Sequence, residues 1–283
     1  MHNSKFKKFS ITLLAIWLLF LALIPFALVF IGSFLKPGAE DFFAFQITLG
    51  NYAKLFYLPY FKVFLRSFYL AGITAFFCLL LAYPFVYILV KLKPRLRAVM
   101  LFLLIIPFWT SSLIRIYSLI IFIRAHGLLN HFLLYFGIIQ HPLEIMFTQT
   151  AILIGMIYSM LPFMILPLYA NLEKFDWRLI EAAQDLGASR LYTLYKIILP
   201  ITMPGIVAGI ILVLLPAVTM FYIPDILGGA KSVLLGNLIK NQFIEVKNWP
   251  MGCAISVALT VIMGVMLIIY HKASVGKERQ ALL

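Results

Sequence analysis

The chain has 283 residues, 64% of them hydrophobic and only 12% charged, with a mean hydropathy of +1.03. Soluble domains carry roughly half apolar residues, so a soluble fold is excluded; apolar blocks separated by charged stretches are the pattern of repeated membrane spans. The net charge of +13 points to basic loops held on the cytoplasmic side rather than to nucleic acid, since no basic, aromatic-interleaved patch lies in a soluble segment.

Six apolar blocks follow one another: Ile11–Leu35, Ser67–Val90, Ala98–Ile123, Thr150–Asn171, Ile201–Pro224 and Met251–Tyr270. Each is close to or above the roughly 20 residues that cross a bilayer at about 1.5 Å per residue, and in hydrocarbon such segments must be helical. The expected fold is an all-α polytopic membrane protein with six transmembrane helices. The first block follows Lys5, Lys7 and Lys8 but is too long for a signal core and has no small-x-small cleavage site, so it reads as an uncleaved span. The loop from Lys36 to Arg66 is rich in aromatic residues and predicts a short interfacial helix anchored by Tyr52, Phe56, Tyr57 and Tyr60.

Lys91, Lys93, Arg95 and Arg97 crowd the next loop with no acid between them. With six spans, this loop shares its side with the N-terminal lysines, with Lys272, Lys277 and Arg279, and with the loop from Leu172 to Pro200. That side is expected to be the cytoplasm, with both termini there. In the third block Pro107 frees a backbone carbonyl and permits a kink, as Pro162, Pro167 and Pro216 do in later blocks. His126, His131 and His141 lie in one outer segment without metal-ligand spacing. Cys78 and Cys253 have no redox or metal spacing and read as small apolar packing residues.

After the fourth block comes Glu181-Ala182-Ala183-Gln-Asp185-Leu-Gly187, then Ile197-Ile-Leu199-Pro200. Asp176 suits an N-cap, Gly187 a left-handed helix end, and Ser189 the cap of a second helix running to the membrane. Glu181 and Asp185 stand at i and i+4 on one face. The prediction is a helix, a glycine turn and a helix; by spacing alone it reads equally as an amphipathic connector resting on lipid headgroups. Gly205 and Gly209 form a small-xxx-small pair for close helix packing. Gly228-Gly-Ala-Lys231-Ser232 lacks the spacing of a phosphate-binding loop and reads as a turn.

Glu-Ala-Ala, three residues, Gly, nine residues, Ile-x-Leu-Pro resembles the "EAA" loop of bacterial ABC-importer permeases, matched at Glu181, Ala182, Ala183, Gly187, Ile197, Leu199 and Pro200. Ile106–Tyr117, Leu161–Tyr169, Phe221–Gly229 and Asn248–Gly252 are similar to segments of polyamine-importer permeases, those of spermidine/putrescine importers above all. The resemblance implies a type I permease fold, one domain over residues 1–283, with residues 173–200 as the coupling-helix loop on a cytoplasmic ATPase dimer. It further implies a second permease subunit as heterodimer partner, a periplasmic polyamine-binding protein, and a place in the bacterial inner membrane among its lipids. With no ATP site, catalytic constellation, cofactor or metal motif in the sequence, the chain is expected to be no enzyme, its energy coming from the partner ATPase.

The implied function is passage of spermidine or putrescine from periplasm to cytoplasm by alternating access; the alternatives are an ABC permease for another small solute and an ion-coupled secondary transporter. The latter needs ionisable residues deep in the bilayer, and the centres of the six blocks lack Asp, Glu, Lys and His. A polyamine pathway wants carboxylates for its charges and aromatic faces for cation–π contact. The acids on the outer side are Glu40, Asp41, Glu144, Asp225 and Glu245, and Asp225 alone is directly joined to a span. Asp225, Tyr222 and Trp109 are the candidate lining. Arg115, paired with Asp225, is a candidate gate; the other readings are that Asp225 caps a helix and Trp109 packs against its neighbours.

Overall fold

The structure, a computed structural model, describes residues 3–38, 42–229 and 233–280, with residues 3–6, 8, 9 and 269–280 described by backbone alone. Glu40, Asp41, Lys231 and Ser232, and the side chains of Lys5, Lys8, Lys272, Lys277 and Arg279, lie outside the described residues. The chain is helical almost throughout: α1 (Asn3–Gly32), then a two-stranded antiparallel ribbon β1 (Leu35–Lys36) and β2 (Ala44–Ile47), α2 (Gly50–Leu55), α3 (Leu58–Leu89), α4 (Pro94–Ile105), a 3₁₀ turn (Ile106–Trp109), α5 (Ser112–Ile123) and α6 (Leu128–Tyr135). There follow α7 (Gln149–Leu172), α8 (Arg178–Asp185), α9 (Arg190–Thr193), a π turn (Leu194–Ile198), α10 (Leu199–Thr219), α11 (Tyr222–Gly228), α12 (Leu235–Ile244) and α13 (Trp249–Gln280).

Among the described residues six helical stretches have the length and apolar composition to cross a membrane: Ser10–Gly32, Leu58–Leu89, Ser112–Tyr135, Gln149–Leu172, Arg190–Thr219 and Trp249–Ile268. Two expected spans are interrupted. The block 98–123 is not one helix: Pro107 donates no N–H, the backbone tightens into the 3₁₀ turn, and Thr110 is extended with ψ 152°. The block 201–224 ends early, at Thr219, because Met220 is extended with ψ 125°. Tyr222 and Asp225 therefore stand on a separate short helix, α11, and not on the end of a span.

The contacts divide the chain into two units, Met1–Lys62 with Leu238–Leu283, and Val63–Asn237. In the first, α1 packs along α13, and Phe42, Phe43 and Phe243 surround the Trp249 ring at 4.4, 6.2 and 5.5 Å between centroids. A short helix is present in this loop as α2, but of the four expected anchors it holds Tyr52 alone; Phe56 and Tyr57 follow it and Tyr60 belongs to α3. The Tyr52 hydroxyl lies 2.6 Å from Ser33 Oγ, and buried Asn51 donates to the carbonyls of Ser33 and Leu35 at 3.0 and 2.8 Å, which ties α2 to the ribbon. Phe56 and Tyr57 are exposed.

The second unit is built on α7 and α10. Gly205 and Gly209 bring α10 so close that a Cβ would lie 2.6 Å from Asn171 Cβ in one case and 2.5 Å from Met164 Sδ in the other. The interface holds Met164, Ile165, Leu168 and Val213, each at most 2% exposed. α3 joins this pair through Tyr83, whose hydroxyl lies 3.1 Å from Thr202 Oγ1, and through buried Cys78, whose thiol faces the Ile157 carbonyl at 3.7 Å. α4 differs from its neighbours: it buries none of its residues.

Candidate functional site

The loop after α7 forms a compact knob. The N-cap of α8 is Trp177, not Asp176 as expected; Asp176 stands one residue earlier, where its carboxylate accepts from the Arg178 N–H at 3.1 Å and so leads the chain into the helix. At the other end Gly187 has φ +83°; its N–H bonds the Gln184 carbonyl, and the Ala188 N–H bonds the Ala183 carbonyl, each at 2.9 Å. These are the two bonds of a Schellman ending, which reverses the chain within one residue. Ser189 then caps α9, accepting from the Tyr192 N–H at 3.3 Å.

Glu181, Ala182, Asp185 and Gly187 are exposed on this knob and Ala183 is half-buried, while Leu199 and Pro200 open α10. Leu186 is 89% exposed and Leu191 69%. Hollows flank the helix, one lined by Tyr87, Lys91, Trp177, Glu181 and Arg190, the other by Ala183, Leu186, Gly187, Tyr192 and Ile197. The short helix thus leaves leucines and a carboxylate face accessible together.

The base of the knob is fastened. Lys91 Nζ donates to the Tyr87 hydroxyl at 2.8 Å and lies 4.0 Å from the Tyr87 ring centre and 5.1 Å from the Trp177 ring. Arg97 pairs with Glu173 at 3.2 Å, and the Tyr169 hydroxyl donates to the same carboxylate at 2.6 Å. Sequence reasoning places Lys91 and Arg97 only as topology markers; the charge signs allow the pairings, but nothing in the spacing selects them.

The second group of candidates lies around α11. Asp225 is half-buried and accepts from Asn237 Nδ2, which also donates to the Phe221 carbonyl at 2.8 Å. The Asn237 Oδ1 accepts from the Leu234 N–H at 3.2 Å, and Ser67 Oγ accepts from the Leu235 N–H at 2.8 Å. Asn237 and Ser67 are buried, at 3% and 0% exposed. Neither was a candidate in the sequence, because a single Asn or Ser beside an apolar run carries no signal. The turn demands Gly236, since a Cβ there would lie 2.2 Å from the Thr219 carbonyl oxygen.

Tyr222 is half-buried on the same helix as Asp225. Trp109 stands at the end of the 3₁₀ turn, 77% exposed, with Phe102 edge-on at 6.2 Å. Arg115 and Asp225 form no ion pair: the Arg115 guanidinium lies 5.1 Å from the Phe108 ring centre, and its buried Nε has no hydrogen-bond partner among the described residues. A planar cation over an aromatic face takes part of its stabilisation from the ring.

The sequence from residue 46 to 272 matches the family described as binding-protein-dependent transport system inner membrane component. The chain is 47% identical over 272 residues to the spermidine/putrescine transport system permease protein PotB of Haemophilus influenzae, covering 96% of this chain and 95% of that one. It is 50% identical over 258 residues to the protein of that name in Escherichia coli, covering 91% and 94%. Among solved structures it is similar to a bacterial ABC transporter involved in import of the acidic polysaccharide alginate, with a TM-score of 0.74 at 15% identity over 96% of each chain. At that identity the likeness shows the fold alone, and the fold is that of an importer permease.

Proposed function

This chain belongs to the family of binding-protein-dependent transport inner-membrane components, and from that premise we propose that it moves spermidine or putrescine from periplasm to cytoplasm as one of two permease subunits of an ATP-driven importer. Polyamine as the substrate class is supported by the 47–50% identity to spermidine/putrescine permeases along nearly the whole chain. The observation that carries the coupling assignment is the α8 knob, with its left-handed Gly187 and exposed Glu181–Gly187 surface. Its partner is a cytoplasmic ATPase dimer; the other partners are a second permease subunit and a periplasmic polyamine-binding protein. Residues 173–200 and both termini then lie in the cytoplasm.

The mechanism follows from the packing. α8 leads into α10 through α9 and the π turn, and α10 is seated along α7. Closing of the ATPase dimer displaces α8, and the displacement passes to α7 and α10 as a packed pair, opening one side of the pathway as the other closes. A polyamine is a chain of ammonium groups joined by methylenes. Asp225 supplies a carboxylate held in place by Asn237, and Tyr222 and Trp109 supply aromatic faces for the ammonium groups and methylenes. Arg115 repels a polycation wherever the two approach, a gating role that uses its stacked position over Phe108.

The importer reconstituted in vesicles with its ATPase, second permease and binding protein tests this reading. Labelled spermidine is expected to accumulate with ATP inside and no ion gradient. Uptake driven by a proton or sodium gradient without ATP overturns it.

A further inference from the structure

α4 stands apart in the second unit. It buries none of its residues, and the polar contacts of its side chains converge on one place: Arg97 pairs with Glu173 at 3.2 Å and also interacts with the Tyr169 hydroxyl that holds the same carboxylate. Glu173 is the residue directly after α7, at the root of the loop that carries α8. Its carboxylate is pinned from the other side by the Tyr169 hydroxyl at 2.6 Å. The far end of α4 runs into the 3₁₀ turn with Pro107 and Trp109, and beyond it lies α5 with Arg115. The chain between α8 and α4 is long, so movement of the loop has no short covalent path to α4.

We propose that the Arg97–Glu173 ion pair is the tie through which motion of the coupling loop reaches α4, and through α4 the break at residues 106–111. Arg97 and Glu173 are positioning residues here, acting on the spans and not on substrate. The proposal rests on the coupling role of α8. With no residue fully buried, and only Arg97, Met100, Leu101 and Leu104 half-buried, α4 is held lightly by its own subunit and moves as a rod when pulled at one end. The interruption at Pro107 and Thr110 is where that rod hinges, since the turn there lacks part of the α-helical bonding ladder. Lys91, stacked on Tyr87 and Trp177, gives the end of α3 a second, independent hold on the same loop.

A charge swap in the complete importer tests the tie. Arg97→Glu and Glu173→Arg each place like charges about 3 Å apart, and the double swap restores attraction in reverse. Each single variant is expected to retain membrane insertion and bound ATPase, and to hydrolyse ATP while taking up about threefold to fivefold less spermidine per ATP, the scale of an exposed ion pair. The double variant is expected to recover to within about twofold of the parent. Singles with unchanged uptake per ATP overturn the proposal, as does a double as impaired as the singles. Loss of bound ATPase in the singles also overturns it, since the pair would then serve docking. The coupling role itself fails on a different result: ATPase binding and uptake both unchanged in Gly187→Asp.

Discussion

At Gly187 two contributions can be separated. Its φ of +83° strains any side chain by about 1 kcal/mol, yet a Cβ built there meets no atom within 4 Å. The fold therefore tolerates Gly187→Ala and Gly187→Asp, Asp being among the residues that accept this conformation most readily. What Asp adds is a charge and bulk on the surface proposed to dock the ATPase. Burying an unpaired charge in an interface costs about 2 kcal/mol or more, more than tenfold in affinity. Gly187→Asp is thus expected to reach the membrane at parental levels and to lose the ATPase on co-purification, with Gly187→Ala retaining most of it. Asp225 is the corresponding test for substrate. Asp225→Asn keeps the size of the side chain and removes the charge, so spermidine uptake is expected to fall by about tenfold or more, while the bound ATPase and its basal hydrolysis remain. Uptake unchanged in both rate and apparent affinity removes Asp225 from the pathway.

Between elements, what each close approach meets sets its tolerance. A methyl group at Gly209 meets the flexible end of Met164; at Gly205 it meets the Cβ of Asn171, fixed to the backbone; at Gly236 it meets the Thr219 carbonyl oxygen at 2.2 Å, with no side chain to yield. The Ala variants are expected to lose thermal stability in detergent in the order Gly236, Gly205, Gly209, over a range of about 1–3 kcal/mol. A largest loss at Gly209 would contradict this ranking. The Gly205–Gly209 pair was readable from its spacing, as were the number of spans, the glycine turn at Gly187 and the cap at Ser189, because each is a local signal; the third span, expected at 98–123, lies at Ser112–Tyr135. The ends of the spans around Pro107 and Met220 were not readable. Pro107 shows where a helix can break, but Met220 has no breaker residue, and the close approach of Gly236 that accompanies its extended backbone comes from sixteen residues further along the chain. The same holds for the second half of each polar pairing. Asn237 with Asp225, and Arg97 with Glu173, are matters of tertiary contact.

For the whole molecule, sidedness is the property that makes the other assignments consistent. The loop 91–97 and the loop carrying α8 are joined by Arg97–Glu173 and by Lys91 over Trp177, so the two share one face of the membrane whatever the orientation. One labelling experiment therefore fixes both. The basic cluster Lys91–Arg97, with no acid in it, is the basis for proposing that this face is cytoplasmic, because Lys and Arg in short loops are retained there. Cys78 and Cys253 are 0% and 3% exposed, so an impermeant thiol reagent finds little background in the parent. In intact cells, Gly38→Cys is expected to react with such a reagent and Arg95→Cys only after the membrane is permeabilised, as is a cysteine replacing Ala188 just after α8. Reaction of the Arg95 and Ala188 positions from outside would put α8 in the periplasm, where no ATP-hydrolysing partner could reach it. That outcome would end the coupling assignment together with the topology.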